Sequence, residues 1–267
     1  MDLTTLTEIR GAHELDAWRP GDAWLAGGTF LFSQPQPGLN RLLDLGTTGW
    51  PPIESTSDGL QIAATCTITE LARLAPPSSR ALFQWCCRSF SSSFKVWNVA
   101  TVGGNLCLAL PAGPMIALTA ALAGVCVLIG TDGRRRSVAV TDFVIGNGRT
   151  ALADGEMLRS VRVPAAALED PVAFRGCSLR RYGRPSVMVI GRRSPAIDAV
   201  TLTVTASTTR PLVLRFDRMP TGDEVADEVS TAIPEDLWLR DAYGLPEWRR
   251  QLTLRLAEEV RRELSDR

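Results

Sequence analysis

A chain of 267 residues with 45% hydrophobic content can bury a large core, as one large or two modest domains, and this excludes a disordered polypeptide. Its 29 basic residues balance 29 acidic ones, so no net field points to nucleic acid or to an anionic membrane surface. The only histidine, His13, and six cysteines without a CxxC pair exclude a histidine-ligated metal and a Ser-His-Asp arrangement, and they read as reduced core thiols.

The opening Met1-Asp-Leu-Thr-Thr5 carries no basic region ahead of an apolar core. No run approaches the ~20 apolar residues of a membrane span, so a cytoplasmic protein is expected. Along the chain, residues 12–18 read as a helix, 23–26 and 41–45 as strands, and together they suggest a small α/β unit. Residues 59–65 form another strand, and Thr67-Ile-Thr-Glu70 is a capping box that starts a short helix ended by Pro76-Pro77. Residues 112–124 are apolar all round, as a fully buried helix would be, with Gly124 placed to terminate it. A core strand at 125–129 turns through Thr131-Asp132-Gly133-Arg134 into a second at 137–140. Strands are expected at 172–179 and 199–206. A final helix begins at Pro246 and places Trp248, Leu252, Leu256, Val260 and Leu264 in one buried stripe, its arginines and glutamates facing water. The clusters Arg134-Arg135-Arg136, Arg180-Arg181 and Arg192-Arg193 read as solvated turns.

Neither a G-x-G-x-x-G nor a P-loop is present. Two glycine-centred tetrads stand out instead: Ala26-Gly27-Gly28-Thr29 and Thr101-Val102-Gly103-Gly104. Each follows a β-like run, and paired glycines let successive N–H groups converge on an anion, so two such loops suggest a nucleotide with two phosphates. A plain turn is the alternative for either one alone. With their neighbours, Trp24 to Leu31 and Lys95 to Ala112, the strings resemble the flavin-binding subunit of the molybdenum hydroxylases, the xanthine dehydrogenase and carbon monoxide dehydrogenase relatives. Those carry an AGGT-type loop and an RN-x-A-T-x-GGN-type loop. Thr141-Asp142-Phe143, Gly146-Asn-Gly148-Arg-Thr150, Gly155-Glu156-Met-Leu158, Val163-Pro164 and Asp241 to Arg249 follow in the family's order.

The resemblance implies an α+β, two-lobed FAD-binding fold of the molybdopterin dehydrogenase (PCMH-like) type, with lobes over 1–54 and 55–167 and a C-terminal α/β cap over 168–267. It implies FAD contacts from Leu25, Ala26, Gly27, Gly28, Thr29, Phe30 and Leu31 in the first loop. From the second it implies Ala100, Thr101, Val102, Gly103, Gly104 and Asn105, whose amides and threonine hydroxyl would be donors. Asn105 could instead cap the next turn. Leu158 would line the cofactor cleft. Arg175 would stand near the flavin or else on the surface, and Arg180-Arg181-Tyr182 would sit at the cleft's open edge.

Two positions depart from the family. Leu110-Pro111-Ala-Gly-Pro114 replaces a serine-proline-x-x-aspartate stretch that contacts the adenosine half, and Trp97 stands for an arginine. FAD would be held non-covalently, since His13 lies outside any attachment motif. The implied function is an electron-transfer subunit that takes electrons from [2Fe-2S] clusters of an iron–sulfur subunit and hands them to an external acceptor, with the molybdenum cofactor in a large third subunit. Trp85, Phe90, Phe94 and Trp97 are candidates for the surface that meets the iron–sulfur partner, with core packing as their alternative. A self-sufficient flavoenzyme and a scaffold that has lost FAD are the competing readings.

Overall fold

The structure is a computed structural model, and it describes residues 5–12, 18–90, 93–181 and 183–267. The predicted helix over 12–18 falls almost wholly outside the described residues, as do His13 and Tyr182.

A small parallel sheet comes first, with β1 (Glu8–Gly11) and β2 (Asp22–Leu25) on either side of β3 (Arg41–Asp44). Asp22 and Arg41 are register partners in it, both side chains are buried, and Arg41 Nε donates to Asp22 Oδ1 at 2.9 Å. That hydrogen bond holds the Asp22 carboxyl below the usual carboxylate range against the opposing effect of burial.

The second unit begins with β4 (Ile53–Thr56) and β5 (Gly59–Ala63), followed by α1 (Ile68–Leu74), α2 (Arg80–Arg88), α3 (Phe94–Trp97), α4 (Val102–Leu108) and α5 (Pro114–Ala121). The capping box is present: Thr67 accepts from Glu70 N while Glu70 accepts from Thr67 N. Strands β6 (Val125–Ile129) and β7 (Arg135–Ala139) form the expected hairpin, with Gly133 at φ +75° in its turn. Val140 leaves that hairpin to open α6 (Val140–Phe143), and β8 (Val144–Gly146), β9 (Arg149–Thr150), β10 (Met157–Pro164) and α7 (Ala165–Glu169) complete the unit. Its sheet runs β4-β5-β10-β6-β7, all antiparallel.

Every residue of α5 is buried, which explains why its sequence has no polar face. The left-handed residue at its end is Ala123, at φ +52°, rather than Gly124. Gly124 is needed for closeness, because a Cβ there would lie 2.6 Å from Thr119 O.

The third unit is an antiparallel sheet, β11 (Val172–Cys177), β12 (Val187–Ser194), β13 (Ala199–Thr205) and β14 (Leu212–Phe216), with α8 (Gly222–Ala232) and α9 (Pro246–Ser265) on one face. Two expectations for this region are corrected. Arg249 does not face water. It is the largest fully buried side chain among the described residues, donating to the carbonyls of Ser186, Ala206 and Gly244 and pairing with Asp241. It takes the place of Trp248 in the helix's inward stripe, where Thr253, Leu256, Ala257, Val260 and Leu264 continue. Arg192 does not belong to a turn either. It lies in β12, ion-paired with buried Asp170 and donating to Ala121 O at the end of α5.

Candidate functional site

The two tetrads meet. The first begins where β2 ends, and a Cβ on Gly27 would lie 1.9 Å from the carbonyl oxygen of Val99, so only glycine lets this loop close on the second one. Gly28 is left-handed at φ +65°, and a Cβ there would meet the Phe32 ring at 2.5 Å. The turn closes with Phe32 N donating to Gly28 O at 2.8 Å. Among the described residues, nothing accepts from the amides of Gly27, Gly28, Thr29 or Phe30. Four successive unengaged N–H groups in a tight turn form a concave donor array of the kind that holds an oxyanion.

The second tetrad is built differently. Thr101 caps α4, its Oγ1 accepting from Gly104 N at 3.0 Å. Val102 N donates to Cys66 O at 2.8 Å, Gly103 N to Ala64 O at 2.9 Å, and Asn105 N to Thr101 O at 3.0 Å. The amides expected to meet a phosphate thus already have acceptors within the chain, those of Val102 and Gly103 in the segment 64–66 and those of Gly104 and Asn105 on Thr101. What the second loop offers is a close wall. Gly104 is exposed, with only Thr101 Oγ1 near its missing Cβ, so a ligand can lie directly on the first turn of α4. The Thr101 hydroxyl keeps its own hydrogen to donate.

Between the two loops lies a cleft of about 270 Å³. Of the residues expected there, Leu25 through Leu31, Ala100, Thr101, Gly104 and Asn105 line it. Val102 and Gly103 sit behind the wall, both buried, Val102 bonded to Cys66 and Gly103 against Ala64. Asn105 has the capping role weighed from the sequence, its Oδ1 accepting from Met115 N at 3.0 Å to start α5. Leu158 and Arg175 are not brought to this cleft. Leu158 is buried in the core opposite Leu128. Arg175 pairs with Glu263 at 2.8 Å and Glu259 at 3.5 Å on α9.

Sequence reasoning missed Trp24, Phe90, Cys107 and Leu108, which also line the cleft. Helical spacing could have found two of them, because Cys107 and Leu108 follow Gly104 by three and four residues along α4. Burial pushes the Cys107 thiol up to about 12, so it faces the cleft protonated. The Leu110 to Pro114 stretch supplies no polar side chain to the cleft and serves to begin α5, with Pro114 in its first turn.

The cleft's chemistry is that of a phosphate cradle with an apolar flank, and its residues fit the central phosphates of an extended dinucleotide better than an enclosed substrate. No described residue pairs a nucleophile with a base in it, and no cluster of metal-ligating side chains occurs among the described residues.

Residues 4–166 match the family model described as the FAD binding domain in molybdopterin dehydrogenase. Comparison with curated proteins returns no match. Among solved structures, a chain of quinoline 2-oxidoreductase from Pseudomonas putida 86 is 21% identical, with a TM-score of 0.81 over 100% of this chain and 99% of that one. A chain of the reconstituted CO dehydrogenase from Oligotropha carboxidovorans is 19% identical over 100% of both chains, with a TM-score of 0.81. A third, from carbon monoxide dehydrogenase of Hydrogenophaga pseudoflava, is 18% identical over 96% of each chain, with a TM-score of 0.78. At these identities the likeness is one of fold.

Proposed function

Because the chain belongs to the family of FAD-binding domains of molybdopterin dehydrogenases, we propose that it is the FAD-carrying electron-transfer subunit of a molybdenum hydroxylase, drawing electrons from [2Fe-2S] clusters of one partner and releasing them to an external acceptor. The observation that carries this reading is the row of four unengaged amides at Gly27, Gly28, Thr29 and Phe30, set across the cleft from the bare first turn of α4.

FAD, when bound, supplies the redox chemistry, so no acid, base or nucleophile is required of this chain. The first loop's N–H groups would hold the pyrophosphate, and the Thr101 hydroxyl would donate to a neighbouring oxygen. Phe90, Trp24 and Leu108 would cover the apolar length of the molecule and keep water from the phosphate contacts. Substrate oxidation is assigned to the molybdenum-bearing partner, whose identity sets the substrate. The departure at Leu110 to Pro114 removes one polar contact and should weaken FAD binding relative to a chain that has it.

The test is flavin content. The purified protein should be yellow and should release intact FAD on heating. Gly104→Leu places a side chain in the cleft without touching the core, so it should strip the flavin while leaving the melting temperature of the flavin-free protein unchanged. A wild-type protein that takes up no FAD, or a Gly104→Leu variant that keeps its full complement, would defeat the proposal.

A further inference from the structure

A second concavity, of about 680 Å³, opens between the turn after β11 and the segment that leads into α9. Its volume is within the range of small-molecule sites. Leu179, Arg180, Arg181, Gly183 and Arg184 form one side and Tyr243 the other. The turn is closed by Gly183 N donating to Arg180 O at 2.9 Å, which folds the chain so that Arg180 and Arg184 line the same space. Arg184 lies over the Tyr243 ring, 5.3 Å from its centroid, so the plane of its guanidinium is set by the stack.

Two of the arginines that line this space lack a carboxylate among the described residues. Arg249 is buried close enough for Arg184 to oppose its charge. Asp241, which precedes the lining residues Ala242 and Tyr243, is engaged by Arg249 and by the amide of Tyr243. Among the described residues, Arg180 and Arg184 have no carboxylate partner. Arg180 and Arg184, lining one space without a carboxylate of their own, repel each other, and an anion that accepts from both relieves that cost.

We propose that this pocket binds a phosphate-bearing small molecule of nucleotide size, gripped by forked contacts from Arg180 and Arg184, with Tyr243 acting as a positioning residue for Arg184. Guanidinium forks match both phosphate and carboxylate. The two positive charges of Arg180 and Arg184 on one space favour a ligand carrying more than one negative charge, which a diphosphate has. The proposal stands on this pocket alone and does not rest on the flavin reading.

The test is titration calorimetry on the flavin-loaded protein, where the glycine cleft is already filled, with inorganic pyrophosphate, adenosine diphosphate and succinate as probes. Pyrophosphate and adenosine diphosphate should bind, and Arg180→Ala or Arg184→Ala should weaken both roughly tenfold or more, as loss of a charge-assisted contact does. Tyr243→Leu should weaken them less while keeping the charge. Both arginines are at least partly exposed, so their replacement leaves folding and flavin content intact. Absence of binding at millimolar pyrophosphate, or equal affinity in wild type and both arginine variants, overturns the proposal. Succinate binding as tightly as pyrophosphate overturns its phosphate assignment. Flavin absorbance read on the same samples separates this outcome from failure of the FAD reading, since a colourless protein that still binds pyrophosphate through Arg180 and Arg184 leaves the pocket proposal standing.

Discussion

A Cβ on Gly27 would be pressed into the Val99 carbonyl, one on Gly103 would lie 2.5 Å from the side chain of Ala64, and one on Gly104 would meet only the Thr101 hydroxyl at 3.0 Å. Neighbouring glycines thus serve loop closure, helix packing and ligand access, and only Gly104 can be changed without disturbing the fold. Asp22 shows the same specificity among charged residues. Its carboxyl titrates below its unfolded value because Arg41 hydrogen-bonds it. Its stabilising contribution is therefore complete above the unfolded value near 4 and is lost as pH falls through the lowered one. Since β2 leads straight into the first glycine loop, acid should loosen that loop with the sheet. Flavin fluorescence followed while lowering pH should show release beginning below about 4. In Asp22→Asn the acid-dependent part of the release should vanish, and the protein at neutral pH should melt at a lower temperature because the paired hydrogen bonds from the Arg41 guanidinium to the carboxylate are lost. Identical release curves for the two proteins would exclude Asp22 as the acid-sensitive group.

Among the elements, α9 carries the strongest single prediction. Removing the Arg249 guanidinium leaves three backbone carbonyls without this donor and Asp241 with only the amide of Tyr243. Arg249→Met should therefore cost about 3–5 kcal/mol, read as a fall of roughly 10 °C or more in the melting of the third unit, while a flavin cleft built from other elements stays filled. Retention of the wild-type melting temperature would show that the carbonyls find other donors. The elements also explain what could be read in advance. The capping box of α1, the all-apolar α5 and the hairpin turn at Gly133 were legible because each depends on neighbours within a few residues. The strand β12 was not: Val187 and Val189 pack towards α9 while Met188 and Ile190 pack towards the second unit, so both faces are apolar and no alternation marks it. Arg249 was misread for a related reason, since a helical arginine is ordinarily solvated and its carbonyl partners come from segments 43 and 63 residues away. At the cleft, the tetrads were visible in the sequence, but which amides were already engaged depended on Ala64 and Cys66, which no local pattern connects to them.

In the whole molecule, long-range contacts join the units around the cleft. Trp24 Nε1 donates to Gly155 O at 3.2 Å between the first two, and Trp85 packs against Phe174 with ring centroids 4.8 Å apart between the second and third. Trp85 is thereby used inside the chain, Phe90 lines the cleft and Trp97 is half-buried, so of the aromatic residues expected to meet a partner only Phe94, 73% exposed, stands clear. Val99 and Phe30 are exposed on the rim of the same loops. If that rim is the face offered to the iron–sulfur subunit, Phe94→Glu should reduce co-purification of the partner several-fold while flavin content holds. Undiminished recovery of the complex would move the contact elsewhere. The internal engagement of the second tetrad has a bearing on descent. Its Val102 and Gly103 answer to folding and Thr101 to both folding and ligand, whereas the amides of the first tetrad answer to a ligand. A lineage that ceased to carry FAD would be free to let Thr29 and Gly104 drift while still being held to Gly27 and Gly28 by loop closure and to Thr101-Val102-Gly103 by the core. Gly27, Gly28 and Gly103 are then marks of ancestry, and Thr29 and Gly104 are the ones whose erosion would record a lost cofactor.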